Sequence, residues 1–132
     1  MLKAINVTKR FGELKAVNDL SFEVQQGQVF GIAGPNGAGK STVFNLITGV
    51  YKYEGKIVFD GRDITGMPPY RIAKAGIART FQIPQTFPSL NVQKSISVGS
   101  RFGASGGLDP AYVDEVIRFV DLEQERDRKS VV

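Results

Sequence analysis

Nine consecutive residues, GPNGAGKST at positions 34–42, constrain this chain more than any others. They sit between the apolar run VFGIA at 29–33 and the segment VFNLI at 43–47. Positions 34–41 satisfy G-x-x-x-x-G-K-[ST], a spacing that has chemical meaning when a strand leads in and a helix leads out. Both flanks agree. The continuous apolar run has the pattern of a strand covered on both faces. Val43, Leu46 and Ile47 recur at helical spacing, and Gly49 is placed to end that helix. Glycines within the loop let the backbone take positive φ values and approach an anion with no Cβ in the way. Successive N–H groups then line a concave anion site, to which the following helix adds the partial positive charge of its N-terminal end. Lys40 supplies a flexible cation for β- and γ-phosphates. Ser41 supplies a hydroxyl for Mg²⁺, a hard cation that takes oxygen ligands and keeps its waters. The pattern predicts a nucleotide phosphate site made of Gly34, Pro35, Asn36, Gly37, Ala38, Gly39, Lys40 and Ser41. Thr42 either adds a second hydroxyl to phosphate or caps the helix start.

Composition removes most competing chemistries. The chain has 132 residues, enough for one domain with a core and too few for two. It contains no Cys and no His, so disulfide scaffolds, thiol catalysis, imidazole bases and His or Cys metal sites are excluded. Lys and Arg number 17 against 13 Asp and Glu, an excess that suits an anionic ligand but equally describes a solvated basic surface. No apolar run approaches the roughly 18 residues of a membrane span. The opening MLKAINVTKR lacks a signal-peptide stretch, so the expected location is cytoplasmic.

Hydropathy patterning places the remaining elements. Residues 2–8 read as a short, edge-like strand and residues 14–24 as a second, half-buried one, with Leu20, Phe22 and Val24 at period two. Residues 9–12 and 25–27 are turns. Residues 56–60 give another strand closed by Asp60-Gly61, and Pro68-Pro69 opens a short helix stopped by Gly76. Residues 77–81 read as a buried strand. Pro84 and Pro88 keep the next segment irregular, and Asn91 caps a helix carrying Val92 and Ile96. After a flexible connection at 103–107, Asp109 and Pro110 open a helix whose face is Val113, Val116, Ile117 and Val120. Residues 123–129 alternate charge sign and read as a solvated helix end.

The antiparallel pair ahead of the loop, the form GPNGAGKST, the ITG that follows it, and GKIVFDGRDITG together resemble an ABC transporter nucleotide-binding subunit. GIARTFQIPQTFPSLNV resembles the branched-chain amino-acid importers within that family. The resemblance covers nearly all of residues 1–129. It implies an α/β fold of the P-loop NTPase type, specifically the N-terminal half of an ABC ATPase with an antiparallel β subdomain and an incomplete core sheet. The implied parts are an antiparallel β region at 1–27 and 54–61, a strand–loop–helix at 28–50, a glutamine-loop segment at 77–100, and the start of a helical subdomain at 108–129. It also implies ATP and Mg²⁺ as ligands. Phe11 takes the position of an aromatic that stacks on adenine, and Gln82 that of the glutamine contacting Mg²⁺ or the attacking water. The implied partners are a second ATP-binding subunit and a membrane-spanning permease met through residues 82–90, with no nucleic acid. Such a subunit lies peripherally on the inner face of the cell membrane.

Departures from the family pattern limit what this chain is expected to do. The LSGGQ-type signature, the acidic strand end that holds Mg²⁺, the catalytic glutamate beside it and the switch histidine are not in the sequence. The expectation is an N-terminal half that binds nucleotide without turning it over, a natural short homologue being the other reading. Three functional classes stay open: a transport ATPase subunit, a non-catalytic nucleotide-binding module, and a soluble ABC-type ATPase with no membrane partner. Should turnover occur, Asp60 or Asp63 would be the candidate base. Without the acidic strand between them, residues 29–33 and 77–81 would leave about four aliphatic side chains unburied, roughly 6–12 kcal/mol of the 5–15 that hold a domain together. Strand exchange or edge-to-edge association is therefore expected of the isolated chain.

Overall fold

Alternating residues at the start of the chain build a sheet before any helix forms. The structure, a computed structural model, describes residues 1–81, 83, 86–103 and 106–129. They fall into two units, Met1–Ile72 and Ala73–Val132.

In the first unit, β1 (Leu2–Phe11) and β2 (Leu14–Val24) form an antiparallel hairpin, with Leu2 opposite Val24 and Phe11 opposite Leu14. On its other side β1 pairs antiparallel with β3 (Glu54–Phe59), Ala4 facing Ile57. The short β4 (Arg62–Asp63) follows, giving the order β2-β1-β3-β4. Asp60 and Gly61 link β3 to β4 with φ of 45° and 76°, the sign pattern of a type I′ hairpin turn. β1 is longer than its apolar pattern suggests, and it is central rather than at an edge. The pattern is broken because the hairpin bulges. Asn6 and Asp19 take φ of 48° and 51°, and the register shifts between Ala4 and Val7. Side chains repair the interrupted ladder: Asn6 Nδ2 donates to Asp19 Oδ1 at 2.8 Å, and the Asn6 amide donates to Ser21 Oγ at 2.8 Å.

Helix α1 (Lys40–Ile47) buries Val43, Leu46 and Ile47, the three positions its periodicity selects. Ala4, Val7, Val17 and Ile57 are the buried apolar residues of the strands, with Ile64 and Ile72 completing the core of this unit. Ile72 belongs to α2 (Pro69–Lys74), which starts at the second proline of its pair.

The second unit holds α3 (Val92–Phe102) and α4 (Pro110–Phe119). Asn91 caps α3 by accepting from the Lys94 amide, and Asp109 caps α4 by accepting from Ala111 and Tyr112, both as the sequence predicts. Val113 and Ile117 are buried. Ser100 Oγ donates to the Gly107 carbonyl and accepts from the Asp109 amide, fixing the end of α3 to the start of α4. Of the predicted flexible connection, residues 104 and 105 lie outside the described residues, as do Pro84 and Gln82.

Three expectations fail. Residues 29–33 and 77–81 are not strands, and neither takes part in a ladder among the described residues. Apolar character marks a strand as coverable, but a strand also needs a neighbour to receive its hydrogen bonds. Val29 is accordingly 98% exposed, while Phe30 is held by stacking on Phe22, ring centroids 5.1 Å apart. Residues 123–129 are turns rather than a helix end. Their carbonyls are used differently: Arg126 and Arg128 accept from the amides of Gln93 and Val92 at the start of α3.

Gly55 marks the closest approach in the sheet. Its φ is +95°, and a Cβ there would lie 2.4 Å from the Asn6 carbonyl oxygen, whereas Gly61 at φ +76° has open space. Gly61→Ala is expected to cost about 1–2 kcal/mol from left-handed strain alone. Gly55→Ala should add about 1–3 kcal/mol of overpacking to a similar strain. Urea unfolding of the two variants compares them directly, and equal losses would contradict the Asn6 contact.

Candidate nucleotide-binding site

The loop at 34–39 has the backbone its glycines allow. Gly37 and Gly39 have φ of 84° and 86°, and Gly34 lies at 157°. Gly39 is also the N-cap of α1, with no side chain bonded to the helix start and no acidic residue in the first turn. The first amides of a helix have no carbonyl one turn back, and the end carries partial positive charge. Here both properties are left to whatever approaches from the loop side. A Cβ on Gly39 would sit 2.3 Å from the Ala16 carbonyl oxygen, so β2 and the loop are in backbone contact. The Ala38 amide donates to the Pro35 carbonyl at 3.2 Å, closing the turn.

Lys40 points back into this loop. Its Nζ donates to the carbonyls of Gly34 at 2.6 Å and Pro35 at 2.7 Å. The flexible cation is therefore poised over the loop rather than extended into solvent. Ser41 is exposed on the first turn of α1 and Thr42 is half-buried beside it. The predicted residues from Gly34 to Thr42 are thus brought together as one continuous surface. A hard cation finds the Ser41 hydroxyl here, and among the described residues no cluster of three or more acidic side chains is available to it.

Phe11 ends β1, opposite Leu14 and two residues before the Ala16 carbonyl that meets Gly39 in the partner strand. Its ring is 43% exposed and meets Tyr51 edge to face, centroids 5.2 Å apart at 84°. Lys9 Nζ lies 4.9 Å from the Phe11 centroid and 5.6 Å from that of Tyr51. Sequence patterning missed Lys9 and Tyr51, because a contact across some forty residues leaves no periodic trace. An aromatic shortly after the helix stop at Gly49 was the only local sign. Gln82 lies outside the described residues; Phe87 near it is exposed and Leu90 is half-buried.

The two alternative carboxylates sit at the β3–β4 turn. Asp60 pairs with the amino terminus of Met1. The Thr65 hydroxyl and amide, then the Lys56 ammonium, hold the Asp63 carboxyl below its usual range. Both are engaged in sheet contacts, and the lowered pKa of Asp63 makes it a weaker base.

The ABC transporter family matches residues 17–131. The chain is 41% identical over 99 residues to the probable branched-chain amino acid transport ATP-binding protein LivG of Archaeoglobus fulgidus, covering 74% of this chain and 38% of that protein. The high-affinity branched-chain amino acid transport ATP-binding protein BraF of Pseudomonas aeruginosa is likewise 41% identical over 99 residues, 74% of this chain and 39% of that one. The chain therefore spans about two fifths of the length of these relatives. A nucleotide-free ATP-binding cassette from an ABC transporter superposes with a TM-score of 0.78 at 34% identity, covering 97% of this chain and 56% of the cassette. A dimeric cassette bound to ADP and phosphate gives a TM-score of 0.81 at 25% identity, covering 98% and 61%.

The backbone contact at Gly39 makes a sharp expectation. Gly39→Ala must push the loop off β2, and triphosphate affinity should fall by more than about tenfold, or 1.4 kcal/mol. Calorimetric titration with inorganic triphosphate checks this; unchanged affinity would mean the loop does not need the Ala16 contact.

Proposed function

This chain belongs to the ABC transporter family, and on that premise we propose that it is the nucleotide-holding part of an ATP-binding subunit that powers amino-acid import, of the branched-chain type. The observation that carries the reading is the loop itself: a glycine backbone capping α1 with no side chain, and a lysine folded over it. Relatives named for branched-chain amino-acid transport support the substrate class.

In this reading the loop amides and the start of α1 bind the phosphates of ATP. Lys40 exchanges its two carbonyl partners for β- and γ-phosphate oxygens, a swap in which an ionic acceptor replaces neutral ones. Ser41 holds Mg²⁺, which when bound neutralises developing charge on the phosphates. Thr42 adds a hydroxyl to the same cluster. Phe11 offers a flat face to adenine, an interaction worth about 1–3 kcal/mol for bases stacked on aromatics. Gln82 takes the contact to metal or water, and the segment through Phe87 and Leu90 faces the permease at the inner side of the membrane. A second ATP-binding subunit completes the site across a dimer.

Holding nucleotide does not by itself speed chemistry, since only stabilisation specific to the transition state does so, and the family's catalytic glutamate is not among these residues. The isolated chain is therefore expected to bind Mg-ATP and release no phosphate above background, with Lys40→Ala as the control. Turnover sensitive to that mutation would show that another carboxylate acts as base.

Lys40→Ala should abolish nucleotide binding, because the loop loses its one flexible cation. A fluorescent ATP analogue titrated in the presence of Mg²⁺ reads this directly. Retained affinity would refute the assignment of the loop.

A further inference from the structure

Lys9, Phe11 and Tyr51 form a cluster that the phosphate loop does not require. Lys9 Nζ donates to the Lys52 carbonyl at 2.8 Å, tying the end of β1 to the segment that follows α1. From that anchored position the ammonium lies over both aromatic rings. Tyr51 meets Phe11 at 84°, an edge-to-face arrangement that fixes one ring plane against the other. Yet both rings stay open to solvent, Phe11 at 43% and Tyr51 at 37%. We propose that Lys9 and Tyr51 are positioning residues for the base of the nucleotide: their contacts hold the Phe11 ring in one orientation, so that a purine stacks on its exposed surface.

The proposal rests on the reading of Phe11 as the base-stacking residue. Its energetic basis is pre-organisation. A ring whose plane is already fixed loses less freedom when a ligand stacks on it. The ammonium also polarises the ring, and the contact is of the modest strength of a partly exposed cation–π pair. Neither residue touches phosphate, so both effects belong to the base and should vanish for a ligand without one.

Calorimetric titration of ATP and of inorganic triphosphate, on the chain and its variants, separates the possibilities. Thermal unfolding confirms that each variant is folded. Phe11→Ala should weaken ATP binding by about tenfold through lost stacking and leave triphosphate unchanged. Lys9→Ala and Tyr51→Ala should each weaken ATP by about threefold, the scale of an exposed cation–π or ring contact, again with triphosphate unchanged. In a Phe11→Ala background neither should have a further effect, because each acts through that ring. Lys9→Arg and Tyr51→Phe, which keep the cation and the ring, should restore ATP affinity.

If Phe11→Ala weakens ATP selectively but Lys9→Ala and Tyr51→Ala do not, the positioning role is wrong and the stacking reading stands. If Phe11→Ala has no selective effect, or if the chain binds neither ligand, the stacking reading fails and the proposal goes with it. A Lys9→Ala variant that loses ATP and triphosphate affinity equally would overturn the proposal by showing that Lys9 acts as a long-range charge.

Discussion

The carbonyl oxygen of Ala16 occupies the place where any side chain on residue 39 would have to be. That backbone contact joins the two halves of the candidate site. On one side stands the β1–β2 hairpin, which carries Phe11 and Lys9. On the other is the turn from loop to helix, which carries Lys40, Ser41 and Thr42. Glycine is required twice over at this point, once for its left-handed φ and once for the absence of a Cβ. The hairpin bulges around Asn6 and Asp19 strengthen the local twist of the strands that carry Ala16 and Phe11. The candidate loop thus packs against strands that bulge nearby.

Much of this was legible in the residues. The loop, the helix after it, the caps at Asn91 and Asp109 and the turn at Asp60-Gly61 all follow from local rules, since each depends on neighbours within a few positions. The failures share a cause. The apolar run at 29–33 says that a strand is possible but cannot say that a partner strand is present. The length of β1 was hidden because Lys9, Arg10 and Phe11 read as part of the turn to Gly12, and its central position depends on pairing with β3 some fifty residues away. The same distance hides the contact of Phe11 with Tyr51. The charge alternation at 123–129 was read as a solvated helix, whereas the carbonyls of that segment serve another helix. Patterns of side chains do not record where backbone acceptors are spent.

Lys40 illustrates a balance that affinity alone would conceal. Its ammonium already has two good acceptors in the loop carbonyls of Gly34 and Pro35. A phosphate must therefore offer more than two neutral oxygens before the lysine transfers to it. Water offers no such advantage, since a hydrogen bond gains strength when its acceptor carries charge. On the proposed reading, the closed loop favours a charged ligand over a neutral one.

The three longer helices of the chain begin in different company. At α3 the Asn91 side chain and the carbonyls of Arg126 and Arg128 take up the leading amides, and at α4 the Asp109 carboxylate does so. Those two ends are stoppered by the protein's own oxygens. The start of α1 is left uncorked, because its cap residue has no side-chain oxygen to give. An anion wandering over these helices meets two sealed poles and one open pole. If the loop is the phosphate site, the one of these helix starts left open is the one beside it, a consequence of where the chain spends its own oxygens.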